Sequence, residues 1–209
     1  MVKLGIIGLG KLGTEHAKNV IFDNPNAELI AACGREETLK RFTDRFPVKY
    51  PYTDYDEMLN NPEIDGILIV TSVNTHGEFT VKALEAGKHV FVEKPVGLTL
   101  EEAVSVQKAA EARPNLVCMT GYMRRFDPSY AEAKRRIASG AVGEPIVFRG
   151  YSLDRDNGVE SAPERGDRNG VWYVEMIVHD VDLARWYLGA EAESVWTIGG
   201  AYKHKIYEK

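Results

Sequence analysis

Cysteine is scarce in this sequence, with two in 209 residues. Each sits inside an apolar run, Ile30-Ala31-Ala32-Cys33 and Leu116-Val117-Cys118-Met119. Both read as buried thiols in strands, which excludes a disulfide framework, and no metal-ligand spacing is present. Long apolar runs are missing too. None approaches the roughly 20 residues that span a bilayer, and the opening stretch Lys3–Gly8 is too short and too glycine-broken for a secretory signal. A cytoplasmic protein with no membrane partner is the expectation. Nor is there an excess of basic charge: 26 basic and 31 acidic residues give a net charge of -5. The two signs are interspersed, so no basic stripe offers itself to nucleic acid. Internal repeats and low-complexity tracts are absent as well. What remains is ordinary globular composition, 44% hydrophobic and 27% charged, in a chain long enough for one or two domains with a real core.

The first part of the chain alternates between two periodicities. Near-continuous apolar runs over residues 3–8, 28–33, 66–71, 88–92 and 115–119 predict parallel strands buried on both faces. Amphipathic stretches over about 12–22, 36–46, 54–60, 76–86 and 100–112 predict helices between them. Asp54 and Thr99 read as N-caps, Thr99 with Glu102 at capping-box spacing, and Gly87 suits a helix C-terminus. Such a series predicts an α/β fold with a doubly wound parallel sheet, whose strand-end loops share one ligand-binding edge. Gly8, Gly34, Thr71-Ser72 and Glu93-Lys94-Pro95 all fall on that edge. Past residue 120 the texture changes. The expectation is a helix over 129–139, a strand over 145–153, a charged loop over 154–170, a helix over 171–188 and a strand over 192–202. The predicted domains are therefore a Rossmann dinucleotide-binding domain over 1–121 and a partial α/β (α+β) substrate domain over 122–209. Two strands and two helices make a poor independent sheet, so this second part reads as incomplete.

Gly8-Leu9-Gly10-Lys11-Leu12-Gly13 matches G-x-G-x-x-G, and it lies where such a loop has meaning, between a strand and a helix of a βαβ unit. Gly8 makes the tight turn, Gly10 lets backbone approach a pyrophosphate, and Gly13 allows close helix packing. The helix N-terminus then faces the phosphate charge. The second strand ends in Cys33-Gly34-Arg35, where an NAD site commonly offers an acid to the ribose 2′-hydroxyl. A guanidinium there, with Lys11 nearby, pairs with a 2′-phosphate instead. NADP is thus preferred, and NAD stays open because Glu36 and Glu37 are close in sequence.

Two further groups carry chemistry. Lys94 follows a strand on the same edge as the glycine loop and is placed to hydrogen-bond an alcohol oxygen; the tripeptide equally describes an ordinary lysine before a turn proline. On the 171–188 helix, Glu175 and His179 are four residues apart and share a face, with Asp182 three beyond. A carboxylate one turn from an imidazole orients it for proton removal, though the spacing also fits an incidental pair on a surface helix. His76 lines the cofactor crevice or caps the helix that follows it. His16 and His89 read as structural, and His204 lies in an unpatterned tail.

With the glycine loop, Glu93-Lys94-Pro95 after Lys88–Val92, the segment Gly121-Tyr122-Met123-Arg124-Arg125-Phe126-Asp127-Pro128 and the stretch Ile177–Trp186, the sequence resembles the Gfo/Idh/MocA oxidoreductases. The Met123–Pro128 segment looks most like their inositol 2-dehydrogenase branch. The resemblance implies a Rossmann domain followed by an α/β domain with a large open sheet that also forms the usual homo-oligomer interface. It implies hydride transfer between a nicotinamide cofactor and a polyol or sugar hydroxyl. Lys94 becomes the catalytic lysine, before a cis peptide bond to proline, and His179 the acid/base group, with Glu175 beside it. Thr71, Asn74, His76 and Glu93 line the nicotinamide side, and Arg124 and Asp182 meet substrate hydroxyls. Two departures stand out. Glu175 replaces the aspartate usual in inositol dehydrogenases, and family members continue well past the second strand of the substrate domain, so a shortened chain is expected. The competing expectation is a dinucleotide-binding protein without turnover.

Overall fold

The computed structural model describes residues 1–153 and 171–200. The chain divides into two compact units, Met1–Gly121 and Tyr122–Lys209.

In the first unit six strands form one parallel sheet: β1 (Val2–Ile7), β2 (Ala27–Cys33), β3 (Tyr50–Tyr52), β4 (Gly66–Ile69), β5 (His89–Val92) and β6 (Cys118–Thr120). Their order is β3-β2-β1-β4-β5-β6. The interleaved helices are α1 (Lys11–Lys18), α2 (Glu36–Thr43), α3 (Tyr55–Leu59), α4 (His76–Glu85) and α5 (Leu100–Glu111). Adjacent strand residues point to opposite faces. Ile7, Ile67 and Ile69 accordingly pack with Tyr55, Met58, Leu84 and Ala109 from α3, α4 and α5. Ile6, Leu68 and Val70 pack with Ala17, Leu39 and Phe42 from α1 and α2. Helices on both faces explain why the strands lack polar alternation.

Two helix starts follow their residues closely. The Asp54 carboxylate accepts from Glu57 N at 2.9 Å, capping α3. Thr99 Oγ1 accepts from Glu102 N at 3.2 Å while Glu102 Oε2 accepts from Thr99 N at 3.3 Å, a complete capping box on α5. Gly87 ends α4 at φ +74°. Lys88, though buried, donates from its ammonium to the carbonyls of Asn61 (2.7 Å) and Ile64 (2.8 Å), tying the α3–β4 connection to the start of β5.

The structure departs from the expected elements in three places. β3 was not expected at all: Tyr50-Pro51-Tyr52 carries a proline, which is tolerated because this strand is the sheet edge. The helix expected over 12–22 stops at Lys18 and continues as a single wider turn, Asn19–Asp23. In the second unit, residues 145–153 and 191–200 form no strand. A strand needs a hydrogen-bonded neighbour, and neither segment has one among the described residues. Ile146, Val147, Leu153, Val195, Trp196 and Ile198 are each at least 71% exposed as a result. The expected loop over 154–170, the end of the last expected strand at 201–202 and the tail with His204 lie outside the described residues.

The described helices of the second unit are α6 (Pro128–Ala138) and α7 (Val171–Leu188). Asp127 caps α6, accepting from Ser129 N at 2.8 Å, with Pro128 at the first helical position, where its missing N–H removes no helix bond. The two helices are tied by Tyr187 Oη donating to Tyr130 O at 3.0 Å and by Lys134 donating to Trp186 O. Among the described residues no helix is long and apolar enough to cross a membrane.

Candidate functional site

β1 and β4 lie side by side, and the connections from their C-terminal ends run to opposite faces of the sheet. A crevice opens at such a point. Here it is a cleft of about 840 Å³ lined by Gly8, Gly10, Lys11 and Leu12 after β1, by Gly34, Arg35 and Thr38 after β2, by Thr53–Tyr55 after β3 and by Thr71 and Ser72 after β4. Gly8 has φ +95°, and a Cβ on it would lie 2.3 Å from Val70 O, so only glycine fits. Gly13 does not line the cleft. Its Cβ would lie 1.9 Å from Gly8 O, so its absence lets α1 close onto the strand end. Gly10 faces open space: a Cβ on it would meet nothing within 4 Å. Gly10 is the N-cap of α1, and no side chain among the described residues caps that helix. Uncapped first-turn amides beside an open glycine are what an anion binds. The residues present therefore fit a dinucleotide pyrophosphate.

The cleft carries two exposed cations, Lys11 and Arg35, and one acid, Asp54, whose carboxylate already serves α3. Glu36 and Glu37 start α2 and are not among the lining residues. Cys33 also lines the cleft; burial, then the Asp54 carboxylate, pushes its thiol up to about 11, so it is an unreactive wall. Thr38, Asp54 and Tyr55 are lining residues that sequence reasoning did not assign to the site. In the sequence Asp54 has only the signature of a cap, and the three-residue strand before it has no pattern of its own.

Asn74, His76, Glu93 and Lys94 are not among the residues lining this cleft. Asn74 is exposed on the short turn Val73–Thr75. His76 is not a lining residue at all: its ring is 2% exposed, with Nδ1 2.7 Å from Pro95 O and Nε2 3.1 Å from Thr71 O. Thr71 and Thr75 bond through their hydroxyls at 2.7 Å. The Lys94–Pro95 peptide bond is cis. Glu93 accepts from His16 Nε2 at 2.8 Å. Burial alone would raise the Glu93 carboxyl, but the bond to and charge of His16, then the Lys94 amide and ammonium, outweigh it and hold Glu93 below the ordinary carboxylate value.

In the second unit His179 and Asp182 are buried on α7, at 7% and 4% exposure. Asp182 is gripped by Arg125 through three contacts of 2.7 to 3.2 Å. Arg124 pairs with Asp180 at 2.7 Å and with Ser152 at 2.9 Å. Both arginines of the Met123–Phe126 turn thus end on α7 carboxylates, and Arg125 also stacks over Trp186 at 5.5 Å. Glu175 lies on α7; its side chain is outside the described residues. Among the described residues no cluster of metal-ligating side chains occurs.

The glycine loop, the parallel order and the switch-point cleft together define a dinucleotide-binding Rossmann domain. Residues 2–122 match the GFO/IDH/MocA oxidoreductase family, NAD-binding Rossmann fold, and residues 130–207 match the GFO/IDH/MocA C-terminal domain. The chain belongs to this family. It is 40% identical over 198 residues to scyllo-inositol 2-dehydrogenase (NAD+) of Bacillus subtilis, covering 93% of this chain and 56% of the relative. It is 32% identical over 201 residues to myo-inositol 2-dehydrogenase of Thermotoga maritima, covering 95% and 58%. The crystal structure of scyllo-inositol dehydrogenase from Lactobacillus casei with bound NAD(H) and scyllo-inositol superimposes with a TM-score of 0.83 at 35% identity, over 90% of this chain and 56% of that one. The chain spans little more than half the length of the curated relatives it matches.

Proposed function

We propose that this chain serves the nicotinamide-dependent oxidation of a polyol hydroxyl, with inositols as the substrate class and a cytoplasmic setting. The observation that carries the reading is the switch-point cleft, with its open Gly10, uncapped α1 and flanking cations, in a chain 40% identical to an inositol dehydrogenase. Gly8, Gly10 and Lys11 would hold the nicotinamide cofactor's phosphates, and the cofactor would supply the hydride acceptor for a carbinol carbon. Lys94 donates a hydrogen bond to the alcohol oxygen, and His179 takes the hydroxyl proton as the carbonyl forms. Glu175, four residues before His179 in the sequence, completes the proposed catalytic set. Arg124 and Asp182 serve the substrate through the turn they hold, since both are already committed to ion pairs. Residues 1–121 act as the dinucleotide domain and 122–209 as the substrate side. A homo-oligomer belongs to this reading only with a complete substrate-domain sheet, and the described residues of the second unit form no strand.

For the cofactor we propose NADP in preference to NAD. Arg35 and Lys11 lie along the cleft, and the β2 end offers no acid to repel a 2′-phosphate. NAD remains the alternative, because the Bacillus relative is NAD-dependent by name. A second functional reading, dinucleotide binding without turnover, is favoured by the segments 145–153 and 191–200, which pair with no strand among the described residues. One experiment separates these. Fluorescence titration with NADPH and NADH, followed by an oxidation assay over a panel of inositols and sugars, should give saturable binding, tighter for NADPH, and cofactor reduction with an inositol. Binding with no turnover on any polyol replaces the dehydrogenase with the second reading.

A further inference from the structure

Lys94 has directional bonds on both of its neighbours, and each comes from a histidine far away in the chain. On one side, His16 of α1 donates from Nε2 to Glu93 Oε1 at 2.8 Å, its ring tilted against Phe91 with centroids 5.2 Å apart. The other Glu93 oxygen accepts from the Lys94 amide at 3.3 Å. On the other side, the buried His76 ring, at the start of α4, sits 2.7 Å from Pro95 O and 3.1 Å from Thr71 O. Carbonyl oxygens only accept, so a neutral His76 donates one of these bonds and an imidazolium both. Apolar side chains of similar volume often stabilise such a position as well or better, because a half-buried carboxylate and imidazole lose part of their hydration. What directional bonds add is restriction: they hold the 93–95 backbone in one place where packing alone would let it slide.

We propose that His16 and His76 are positioning residues for Lys94, bracing the peptide before and after it. The His16 arm comes from α1, the helix whose N-terminus opens on the dinucleotide cleft, so the brace joins the cofactor loop to the lysine loop. The inference rests on the reading of Lys94 as the group that meets the alcohol oxygen, and it concerns a residue that spacing alone marks as structural.

The test uses the full chain with His16→Leu, which keeps bulk and removes the donor, and His16→Gln, which restores an N–H near the Nε2 position. In His16→Leu, amide hydrogen exchange at Lys94 should speed up about 10-fold while Val90 and Phe91 amides stay protected. Its kcat should fall about 10- to 100-fold, the scale of a 1 Å misplacement, with the dinucleotide Kd within about twofold of wild type. His16→Gln should recover both readouts to within about threefold. If His16→Leu does not fold, His16→Phe, which keeps a ring against Phe91 and removes the donor, takes its place with the same expected losses. Unchanged Lys94 exchange in the leucine variant overturns the brace. So does a glutamine variant as impaired as leucine, or a loss confined to dinucleotide affinity. Exchange needs no turnover, so a wild-type chain that oxidises no polyol, with His16→Leu still showing the Lys94 response, sinks the dehydrogenase reading and leaves the brace standing.

Discussion

At the scale of single residues, the cleft is decided by what is small and what is charged. Gly8 and Gly13 exist because any side chain would collide with backbone, at 2.3 and 1.9 Å. Arg35 is different: it is exposed, its side chain makes no hydrogen bond or ion pair among the described residues, and its value lies in what it meets. A guanidinium on a phosphate contributes about 1.5–3 kcal/mol, which is roughly 10- to 100-fold in affinity. Arg35→Asp should therefore weaken NADPH by about that factor and improve NADH, as measured by parallel fluorescence titrations. Unchanged NADPH affinity with NADH no better would return the cofactor assignment to NAD. The Glu93 carboxyl, by contrast, acts through a partner it already has. Its depressed pKa means its stabilising contribution is complete above the unfolded-state value, near pH 4.5, and is lost as pH falls through the lower folded value.

Among the elements, helix ends carry much of the architecture. The Thr99–Glu102 box satisfies amides at the start of α5, and Glu102 also accepts from Leu98 N at 2.6 Å, steadying the segment that leaves the Lys94–Pro95 loop. Thr99→Ala should cost about 1 kcal/mol and lower Tm by a few degrees in a thermal melt, with dinucleotide affinity unchanged; a variant as stable as wild type would show that the Glu102 arm alone suffices. α1 is the counterexample. No side chain among the described residues caps it, and its first-turn amides are the groups a diphosphate would meet. These ends were legible in the sequence because caps are local: Asp54, Thr99 and Gly87 act on amides and carbonyls within a few positions. β3 was not legible, since an edge strand of three residues with a central proline has no period to read.

On the scale of the whole molecule, the two units differ in how far each accounts for itself. The first has cores on both faces of a closed set of strands and helices. If it is the dinucleotide domain, residues 1–121 produced alone should fold cooperatively and bind the cofactor with a Kd within about tenfold of the full chain. A non-cooperative melt or absent binding would show that the second unit is needed for the first. Among the described residues of the second unit, ion pairs and ring contacts link the 123–126 turn, α6 and α7. It leaves Val174, Ile177 and Val181 exposed on α7, and its strand-like segments have no ladders among the described residues.

The sequence by itself determined the αβ alternation, the glycine loop with its context, the helix caps and the family, because each depends on residues within one turn or one βαβ unit. Tertiary structure alone decided the strand order, the recruitment of Thr38, Asp54 and Tyr55 to the cleft, the bonding of His76 to Pro95 and Thr71 and the pairing of His16 with Glu93 across 77 positions. It also decided that 145–153 pairs with no strand among the described residues, where the alternating pattern predicts one. The reason is the same in each case. Hydrogen-bond partners remote in the chain leave no periodic trace, and a pattern that favours a strand cannot supply the neighbour a strand requires.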